Sequence, residues 1–223
     1  MKGRTRKVQL KSPVMKRNDE AAAMNRKVFQ ESGLLCLNLM SSPGAGKTTL
    51  LERLAERLGD SLAVIEGDVQ TRRDAERVEA AGSFAHQIET GGSCHLDAEG
   101  VSRALQEMRP FRDGWRYLVI ENVGNLICPS GFYLGEHLTA GMLSVPEGDD
   151  KVLKYPGLFS KVDLMLINKT DLEGKLPFDA RRAEAECRSL NPDVTVLGVS
   201  ALEGSGVEEL VRLMEEERRK RFG

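Results

Sequence analysis

The segment that most constrains this fold is an apolar run that passes through a glycine-rich loop directly into a helix. The run LLCLNLM (34–40) has the length of a buried strand, and TTLLERLAERL (48–58) repeats leucine at helical spacing. The loop that joins them reads SSPGAGKTTL (41–50). A strand that leads through such a loop into a helix is typical of sites that bind phosphate groups through backbone N–H groups and the helix N-terminus.

Apolar strands alternate with helices along most of the remaining chain. Further strands are predicted at 62–66, 84–90, 117–121, 138–145, 162–168 and 194–200. Further helices are predicted at 72–82, 97–108, 180–190 and 206–220, and an irregular loop at 122–137. Strands this apolar are covered on both faces. The predicted fold class is therefore α/β: a three-layer P-loop NTPase with a mostly parallel sheet between helices.

The basic N-terminus is predicted to lie outside the folded domain. Residues 1–17 lack hydrophobic periodicity and are expected to form a flexible arm. Asn18 and Asp19 are expected to cap a first helix that ends at Gly33, which places the domain at 18–223. A chain of 223 residues is long enough to bury one sizeable core.

Charge and cysteine content exclude several classes of function. The chain has 32 Lys+Arg against 34 Asp+Glu, so its net charge of −2 gives no basic footprint for nucleic acid or an anionic membrane. No apolar run approaches the roughly 20 residues that span a bilayer, and no signal-peptide core follows the basic start. Four cysteines in this length are no disulfide framework. We therefore expect a cytoplasmic protein with reduced thiols.

The glycine-rich loop is close to the phosphate-binding motif G-x-x-x-x-G-K-[ST]. It meets the motif at Gly46, Lys47 and Thr48, and departs from it at the first position, which is Ser41. The glycines let backbone N–H groups face the phosphates, Lys47 supplies a positive charge to the β- and γ-phosphates, and the Thr48 hydroxyl is a ligand for Mg²⁺. The predicted phosphate-binding residues are Gly44, Ala45, Gly46, Lys47, Thr48 and Thr49.

A second motif, NKTD (168–171), predicts that the base is guanine. The Asp171 carboxylate can accept two N–H donors from guanine, whereas adenine offers only one and leaves a buried oxygen unpaired. Asn168 is predicted to tie the loop together, and the stem of Lys169 to lie over the base. The next strand ends in a sequence similar to the second guanine-contacting loop of GTPases, namely Ser200, Ala201 and Leu202.

Two acidic residues end strands at the predicted nucleotide edge. Asp68 follows LAVIEG and Glu121 ends YLVIE, and each can reach Mg²⁺ directly or through water. With Lys47 they are the predicted catalytic residues. ENVG at 121–124 occupies the place of the D-x-x-G element of many GTPases, so Gly124 is expected to offer its N–H to the γ-phosphate. Asp74 is a further candidate, and a helix-capping role for Asp68 stays open.

The cysteines fall into two groups. Cys36 lies in the first strand and Cys187 in a helix, as expected of small buried hydrophobic residues. Cys94 and Cys128 follow strands, so both belong to the nucleotide edge, and His95 adjoins Cys94. Two thiolates and an imidazole form a soft site suited to Zn²⁺ or Ni²⁺. Spacing alone leaves open whether the three residues bind one ion or are unrelated loop residues.

Taken together, these segments resemble the hydrogenase nickel-incorporation (maturation) GTPases of the HypB family. The resemblance spans 18–215 and includes features that are not general to GTPases, above all CHLDA and ICPSGFYLGE. It rests on SSPGAGKTTLLERL, GDVQTRRDAERV, GGSCHLDA, ENVGNLICPSGFYLGEH, EGDDKVLKYPGLFSKVDLMLINKTDL and VSALEGSGVEEL.

The resemblance implies a dimerising class of P-loop GTPase, related to the nitrogenase iron protein and the signal-recognition GTPases. It implies slow hydrolysis of GTP to GDP, a GTP-dependent homodimer, and nickel or zinc bound by Cys94, His95 and Cys128 at the dimer interface. The implied partners are a small zinc-containing nickel metallochaperone and the large subunit of [NiFe]-hydrogenase. Residues 1–35 contain no Cys or His, so the N-terminal nickel-binding and storage motifs of some members are not carried over.

Three alternatives remain at this point. A urease-type nickel accessory GTPase is marked by Cys-Pro-His, whereas this chain has Cys128, Pro129 and Ser130. A GTP-dependent scaffold would carry the thiols incidentally. A kinase would use the phosphate loop for transfer, but NKTD favours guanine and no acceptor lid is recognisable. No Gln or Arg is placed to orient water, which predicts slow turnover.

Overall fold

The computed structural model describes residues 13–68 and 73–223, apart from the side chain of Asp68. Its strands are β1 Leu35–Ser41, β2 Leu62–Asp68, β3 Phe84–Glu89, β4 Tyr117–Glu121, β5 Leu138–Ser144, β6 Leu164–Asn168 and β7 Thr195–Gly198. Its α-helices are α1 Pro13–Glu31, α2 Lys47–Leu58, α3 Arg73–Ala80, α4 Ala98–Glu107, α5 Lys151–Lys154, α6 Pro156–Phe159, α7 Ala180–Leu190 and α8 Val207–Phe222.

The seven strands form one sheet in the order β3-β2-β4-β1-β5-β6-β7, and every neighbouring pair is parallel. The predicted α/β class is confirmed. Because all strands run the same way, their carboxyl ends meet at one edge, where ligands of such sheets bind. The phosphate loop, ENVG and NKTD all follow strands at this edge.

The side chains of β1 show how the sheet is covered on both faces. Leu37 and Leu39 belong to the apolar core formed with α2 and α8. Cys36 points the other way, into the core formed with α1 and α4, and Met40 lies in a third core with α6 and α7. Alternation along a strand thus produces the three-layer arrangement predicted from the apolar runs.

Helix α1 starts earlier than the sequence indicated. It begins at Pro13, so residues 13–17 of the predicted arm are helical; the rest of that arm lies outside the described residues. Asn18 is not a cap. Its buried amide donates to the Tyr133 carbonyl at 2.8 Å, and its oxygen accepts the Ala98 N–H at 2.9 Å. These tertiary partners have no local sequence signature.

Two short helices, α5 and α6, occupy a region for which no element was predicted. Four residues each is too short for a periodic pattern to appear. The predicted irregular loop at 122–137 contains one turn of 3-10 helix, Pro129–Gly131. Among the described residues, none of the helices combines the length and the apolar character needed to cross a bilayer.

Candidate functional site

The phosphate loop has a backbone shape that requires glycine. Gly44 and Gly46 have φ angles of 75° and 100°, in the left-handed region. A Cβ on Gly46 would lie 2.5 Å from Nδ2 of Asn168, whereas a Cβ on Gly44 would meet nothing within 4 Å. Gly46 therefore combines a strained backbone angle with close contact to the neighbouring loop, and helix α2 begins at the next residue.

Ser41 supplies a partner for the phosphate-loop lysine. The Lys47 side chain is buried, and its Nζ donates to the Ser41 Oγ at 3.0 Å. Ser41 is itself fully buried and donates its hydroxyl to the Ser42 carbonyl at 2.8 Å. The departure from glycine at this position is thus accommodated, and its hydroxyl helps to hold the Lys47 ammonium above the strand end.

The NKTD loop is bonded to the phosphate loop. Asn168 donates to the Ala45 carbonyl at 2.8 Å and accepts the Ala201 N–H at 3.0 Å, so one buried amide joins three loops. Lys169 donates from Nζ to the Gly44 carbonyl at 2.8 Å. Lys169 is also the single described non-glycine residue with a positive φ, at 63°. The loops predicted to contact phosphate and base therefore form one connected unit.

Asp171 and the SAL loop lie side by side. The Ser200 hydroxyl donates to Asp171 Oδ1 at 2.6 Å, which holds one carboxylate oxygen in place. Arg53 of α2 donates to the carbonyls of Ala201 and Leu202 at 3.0 and 2.8 Å. Leu202 remains largely exposed. Arg53 is a positioning residue that the sequence analysis did not identify.

A cavity of about 590 Å³ opens between these loops and is called the nucleotide cavity below. It is lined by Pro43, Gly44, Gly46, Lys47, Thr48, Thr49, Glu66, Gly67, Asp74, Arg77, Glu121, Asn122, Val123, Gly124 and Lys169. Gly124 packs so closely on Pro43 that a Cβ there would lie 3.0 Å from it. Glu66, Arg77 and Asn122 belong to this lining but were not predicted, because no motif marks them.

The residues present fit a magnesium ion. The Thr48 hydroxyl donates to Glu121 Oε1 at 3.4 Å, so a hydroxyl and a buried carboxylate share one wall of the nucleotide cavity. Such hard oxygen ligands are those that Mg²⁺ prefers. Asp74 lines the same cavity and pairs with Arg77 at 3.3 Å. The side chain of Asp68, the other predicted ligand, lies outside the described part of the chain.

Cys94, His95 and Cys128 come together at the same edge, and we call them the thiol–imidazole cluster. One potential ligand atom from each lies within 4.8 Å of the others, and the Cys94 Sγ is 3.5 Å from the His95 Nδ1. The His95 ring stacks on Phe132 with a centroid distance of 4.0 Å. Cys94 is exposed, and the other two are partly buried. Phe132 was missed by the sequence analysis.

The electrostatics of this cluster favour a neutral His95 ring and a protonated Cys128 thiol. Burial lowers the pKa of His95, although Asp97 opposes the change. A hydrogen bond with Cys94, followed by desolvation, raises the pKa of the Cys128 thiol. A metal ion must therefore displace a firmly held thiol proton but meets an imidazole that is already available.

The other two cysteines lie in apolar surroundings. Burial raises the pKa of the Cys36 thiol well above its usual value and that of Cys187 to about 11. Both lie in hydrophobic cores and behave as the small buried residues that the sequence predicted.

Comparisons with known proteins add a family and close relatives. The CobW/HypB/UreG nucleotide-binding domain family matches residues 35–198. The chain is 49% identical over 220 residues to the hydrogenase maturation factor HypB of Azotobacter chroococcum mcd 1, covering 98% of this chain and 72% of that protein. It is 45% identical over 215 residues to the hydrogenase maturation factor HypB of Escherichia coli K12, covering 96% and 73%.

Two solved structures are similar to the chain in both fold and sequence. The crystal structure of HypB from Helicobacter pylori in complex with nickel has a TM-score of 0.89 at 39% identity and covers 92% of this chain and 97% of that one. The hydrogenase maturation factor HypB from Archaeoglobus fulgidus has a TM-score of 0.83 at 38% identity and covers 91% and 99%.

Proposed function

The chain belongs to the HypB family of hydrogenase maturation factors, and from this premise we propose that it is a GTPase that carries nickel to [NiFe]-hydrogenase. The observation that carries the proposal is the meeting of two sites at one sheet edge. The nucleotide cavity and the thiol–imidazole cluster both lie beyond the carboxyl ends of the same parallel strands. Occupancy of one site can then be sensed at the other.

The nucleotide in this proposal is GTP. Asp171 takes the guanine N–H donors, and its bond from Ser200 fixes the carboxylate for that contact. Lys47 and the backbone N–H groups of the phosphate loop bind the phosphates, with the N-terminus of α2 beneath them. Asp171 is partly buried. A charged hydrogen bond that adenine cannot make is worth about 1.5–3 kcal/mol, which favours guanine over adenine by about 10- to 150-fold.

Magnesium would be held by Thr48 and Glu121, with Asp68 as a further predicted ligand. When bound, the ion neutralises charge on the β- and γ-phosphates. Lys47 and Gly124 both line the nucleotide cavity, and in this proposal each donates to the γ-phosphate. The described lining contains Arg77, but that side chain is engaged by Glu52 at 2.8 Å. Hydrolysis is therefore slow.

The cargo in this proposal is Ni²⁺, with Zn²⁺ as a competing ion. Two thiolates and an imidazole suit either metal, and a square-planar arrangement selects nickel whereas a tetrahedral one selects zinc. Three protein ligands leave a coordination position open. A GTP-dependent homodimer would place a second copy of the cluster near this position, and the partly exposed ligands allow exchange with a partner.

The proposed partners are a small zinc-containing nickel metallochaperone and the large subunit of [NiFe]-hydrogenase. The name of the homologous maturation factors supports the second of these. We place this exchange in the cytoplasm, where the thiols stay reduced.

Substituting Cys94 by Ala separates a metal carrier from a GTP-dependent scaffold. The variant is expected to keep GTP hydrolysis, to lose Ni²⁺ binding by about 100-fold or more, and to fail to restore hydrogenase activity in cells that lack the wild-type protein. Cys187→Ala is the matched control and retains all three properties, since Cys187 is buried away from the cluster. Full hydrogenase activity with Cys94→Ala would contradict nickel transfer and support the scaffold.

A further inference from the structure

A buried asparagine interrupts the otherwise apolar β1 strand. Asn38 is fully buried, and it shares its face of the strand with Cys36 and Met40. A polar side chain in such a position is costly unless all of its hydrogen-bonding groups are paired. Both halves of the Asn38 amide are in fact paired with other buried side chains, and neither partner is close in sequence.

Asn38 joins two polar side chains from opposite sides of the strand. Its Oδ1 accepts from Asn122 Nδ2 at 3.3 Å, and its Nδ2 donates to Glu136 Oε1 at 3.1 Å. Asn122 is 1% exposed and Glu136 is 6% exposed, so the whole connection is shielded from water. We call Asn122, Asn38 and Glu136 the polar bridge.

One end of the polar bridge contacts both the nucleotide cavity and the loop that carries Cys94 and His95, which we call the first metal-bearing loop. Asn122 lines the nucleotide cavity and directly follows Glu121. Its Oδ1 accepts the backbone N–H of Leu96 at 3.1 Å, and Leu96 directly follows His95. The side chain of Leu96 also packs on a glycine of the cavity lining, since a Cβ on Gly67 would lie 2.7 Å from its Cγ.

The other end of the polar bridge contacts the loop that continues from Cys128. Glu136 accepts the Leu134 N–H on Oε2 at 2.7 Å and the Thr139 hydroxyl on Oε1 at 3.3 Å. Oε1 also accepts from Asn38, so Glu136 ties the polar bridge to the segment that follows Cys128, which we call the second metal-bearing loop. The polar bridge therefore connects the nucleotide cavity to both loops of the thiol–imidazole cluster.

We propose that Asn38 is a positioning residue through which the nucleotide state sets the relative placement of Cys94 and His95 against Cys128. This inference rests on the proposed function, because it assigns the coupling between the two sites to particular residues. Asn38 touches neither nucleotide nor metal. A buried polar group that loses its partner meets the full cost of desolvation, so a shift of Asn122 is followed by Asn38 and Glu136.

Asn25 of α1 provides a matched control. It is equally buried, and its Nδ2 donates to the carbonyls of Ala98 and Leu134 at 2.8 and 3.0 Å. It therefore joins the start of α4, just after the loop that carries Cys94 and His95, to the loop that continues from Cys128. Among the described residues, however, its hydrogen bonds reach none that line the nucleotide cavity.

The test compares Ni²⁺ affinity of the full chain saturated with GDP and with a non-hydrolysable GTP analogue, both with Mg²⁺. For the wild type we expect a ratio of about fivefold or more, as is typical of coupled sites. Asn38→Ala is expected to bring the ratio to within about twofold of one. Asn25→Ala is expected to change both affinities together and to keep the ratio.

The outcomes separate this inference from the proposed function. A wild-type ratio of one contradicts the nucleotide-controlled metal site itself, whatever the variants do. A wild-type ratio that Asn38→Ala preserves overturns the role of Asn38 and leaves the proposed function intact. If the ratio of Ni²⁺ affinities falls to about one in both variants, the role of Asn38 is also overturned, since general loosening of the loops would then explain the effect.

Hydrogen exchange on the wild type covers the case in which Asn38→Ala does not fold. Replacing GDP by the GTP analogue is expected to change amide exchange in peptides covering residues 94–98 and 132–136 together. A change confined to peptides of the nucleotide cavity would overturn the inference, because the polar bridge would then transmit nothing to the metal-bearing loops.

Discussion

The nucleotide cavity and the thiol–imidazole cluster share one sheet edge but are built in different ways. Around the cavity, Lys47 and Asn168 are buried and bonded to neighbouring loops. In the cluster, Cys94 is exposed and His95 is supported mainly by its stacking on Phe132. A preformed pocket suits tight and selective binding of nucleotide, whereas partly exposed ligands suit an ion that must leave again.

Gly46→Ala tests the rigidity of the nucleotide side and has the largest expected effect. An alanine at this position adopts a strained left-handed backbone conformation, and its Cβ clashes with Asn168. We expect the free energy of unfolding to fall by about 3 kcal/mol and GTP binding to be lost. Chemical denaturation without nucleotide measures the first effect. Gly44→Ala is the control, because it carries the strain without the contact, and its loss of stability is expected to be about 1 kcal/mol. Equal losses in the two variants would contradict the account.

The second-largest expected effect is on pH dependence: Ni²⁺ affinity should depend on pH more strongly than nucleotide affinity does. The raised pKa of Cys128 means that the free protein holds this thiol proton near neutral pH, and Ni²⁺ must displace it. Affinity therefore rises with pH, by about tenfold per unit between about pH 6 and pH 8 from this thiol alone. The lowered pKa of His95 keeps its ring neutral over the upper part of this range.

Titrations of Ni²⁺ at several pH values check this slope. The affinity for GDP over the same range serves as the internal control and should change much less. A Ni²⁺ affinity that is independent of pH would contradict binding through the Cys128 thiolate.

Asp171→Asn tests base selection and should have a moderate effect. Asn offers only one acceptor oxygen, so GTP affinity is expected to fall by about 10- to 150-fold, with less change in the affinity for ATP. Competition binding with the two nucleotides gives the measurement. Ser200→Ala, which removes the bond to Asp171 but keeps the carboxylate, should weaken GTP binding by less. Unchanged discrimination between GTP and ATP in Asp171→Asn would exclude this contact.

Phe132→Ala addresses the cluster and has the smallest expected effect. Loss of the stacked ring frees His95 and should weaken Ni²⁺ binding by about two- to tenfold, the value of a typical aromatic pair. Phe132→Tyr keeps the ring and should bind Ni²⁺ as the wild type does. If both variants bind Ni²⁺ equally, stacking does not hold the imidazole in place.

Local patterns predicted the nucleotide side far better than the cluster. The phosphate loop and NKTD are short motifs between strongly apolar strands, so their place at one edge follows from the parallel sheet. The cluster depends on two loops that are distant in sequence, and the spacing of Cys94 and Cys128 left their proximity open. Cys94 and Cys128 become neighbours only through the packing of the sheet, because the loops that carry them follow different strands.

The remaining differences arise from tertiary contacts. Helix α1 extends back to Pro13, and its Asn18 pairs with backbone far along the chain, which no capping pattern reveals. The polar bridge left one signal in the sequence, the single polar residue Asn38 within LLCLNLM. Its partners, Asn122 and Glu136, could be identified only from the folded structure.

The link between the nucleotide cavity and the thiol–imidazole cluster is tested most directly through reciprocity. The affinities of the wild-type protein for GDP and for a non-hydrolysable GTP analogue are measured with and without saturating Ni²⁺. If nucleotide state alters Ni²⁺ affinity, then Ni²⁺ must alter the preference between the two nucleotides by the same factor, expected to be about fivefold or more. An identical preference in the presence and absence of Ni²⁺ would contradict the account.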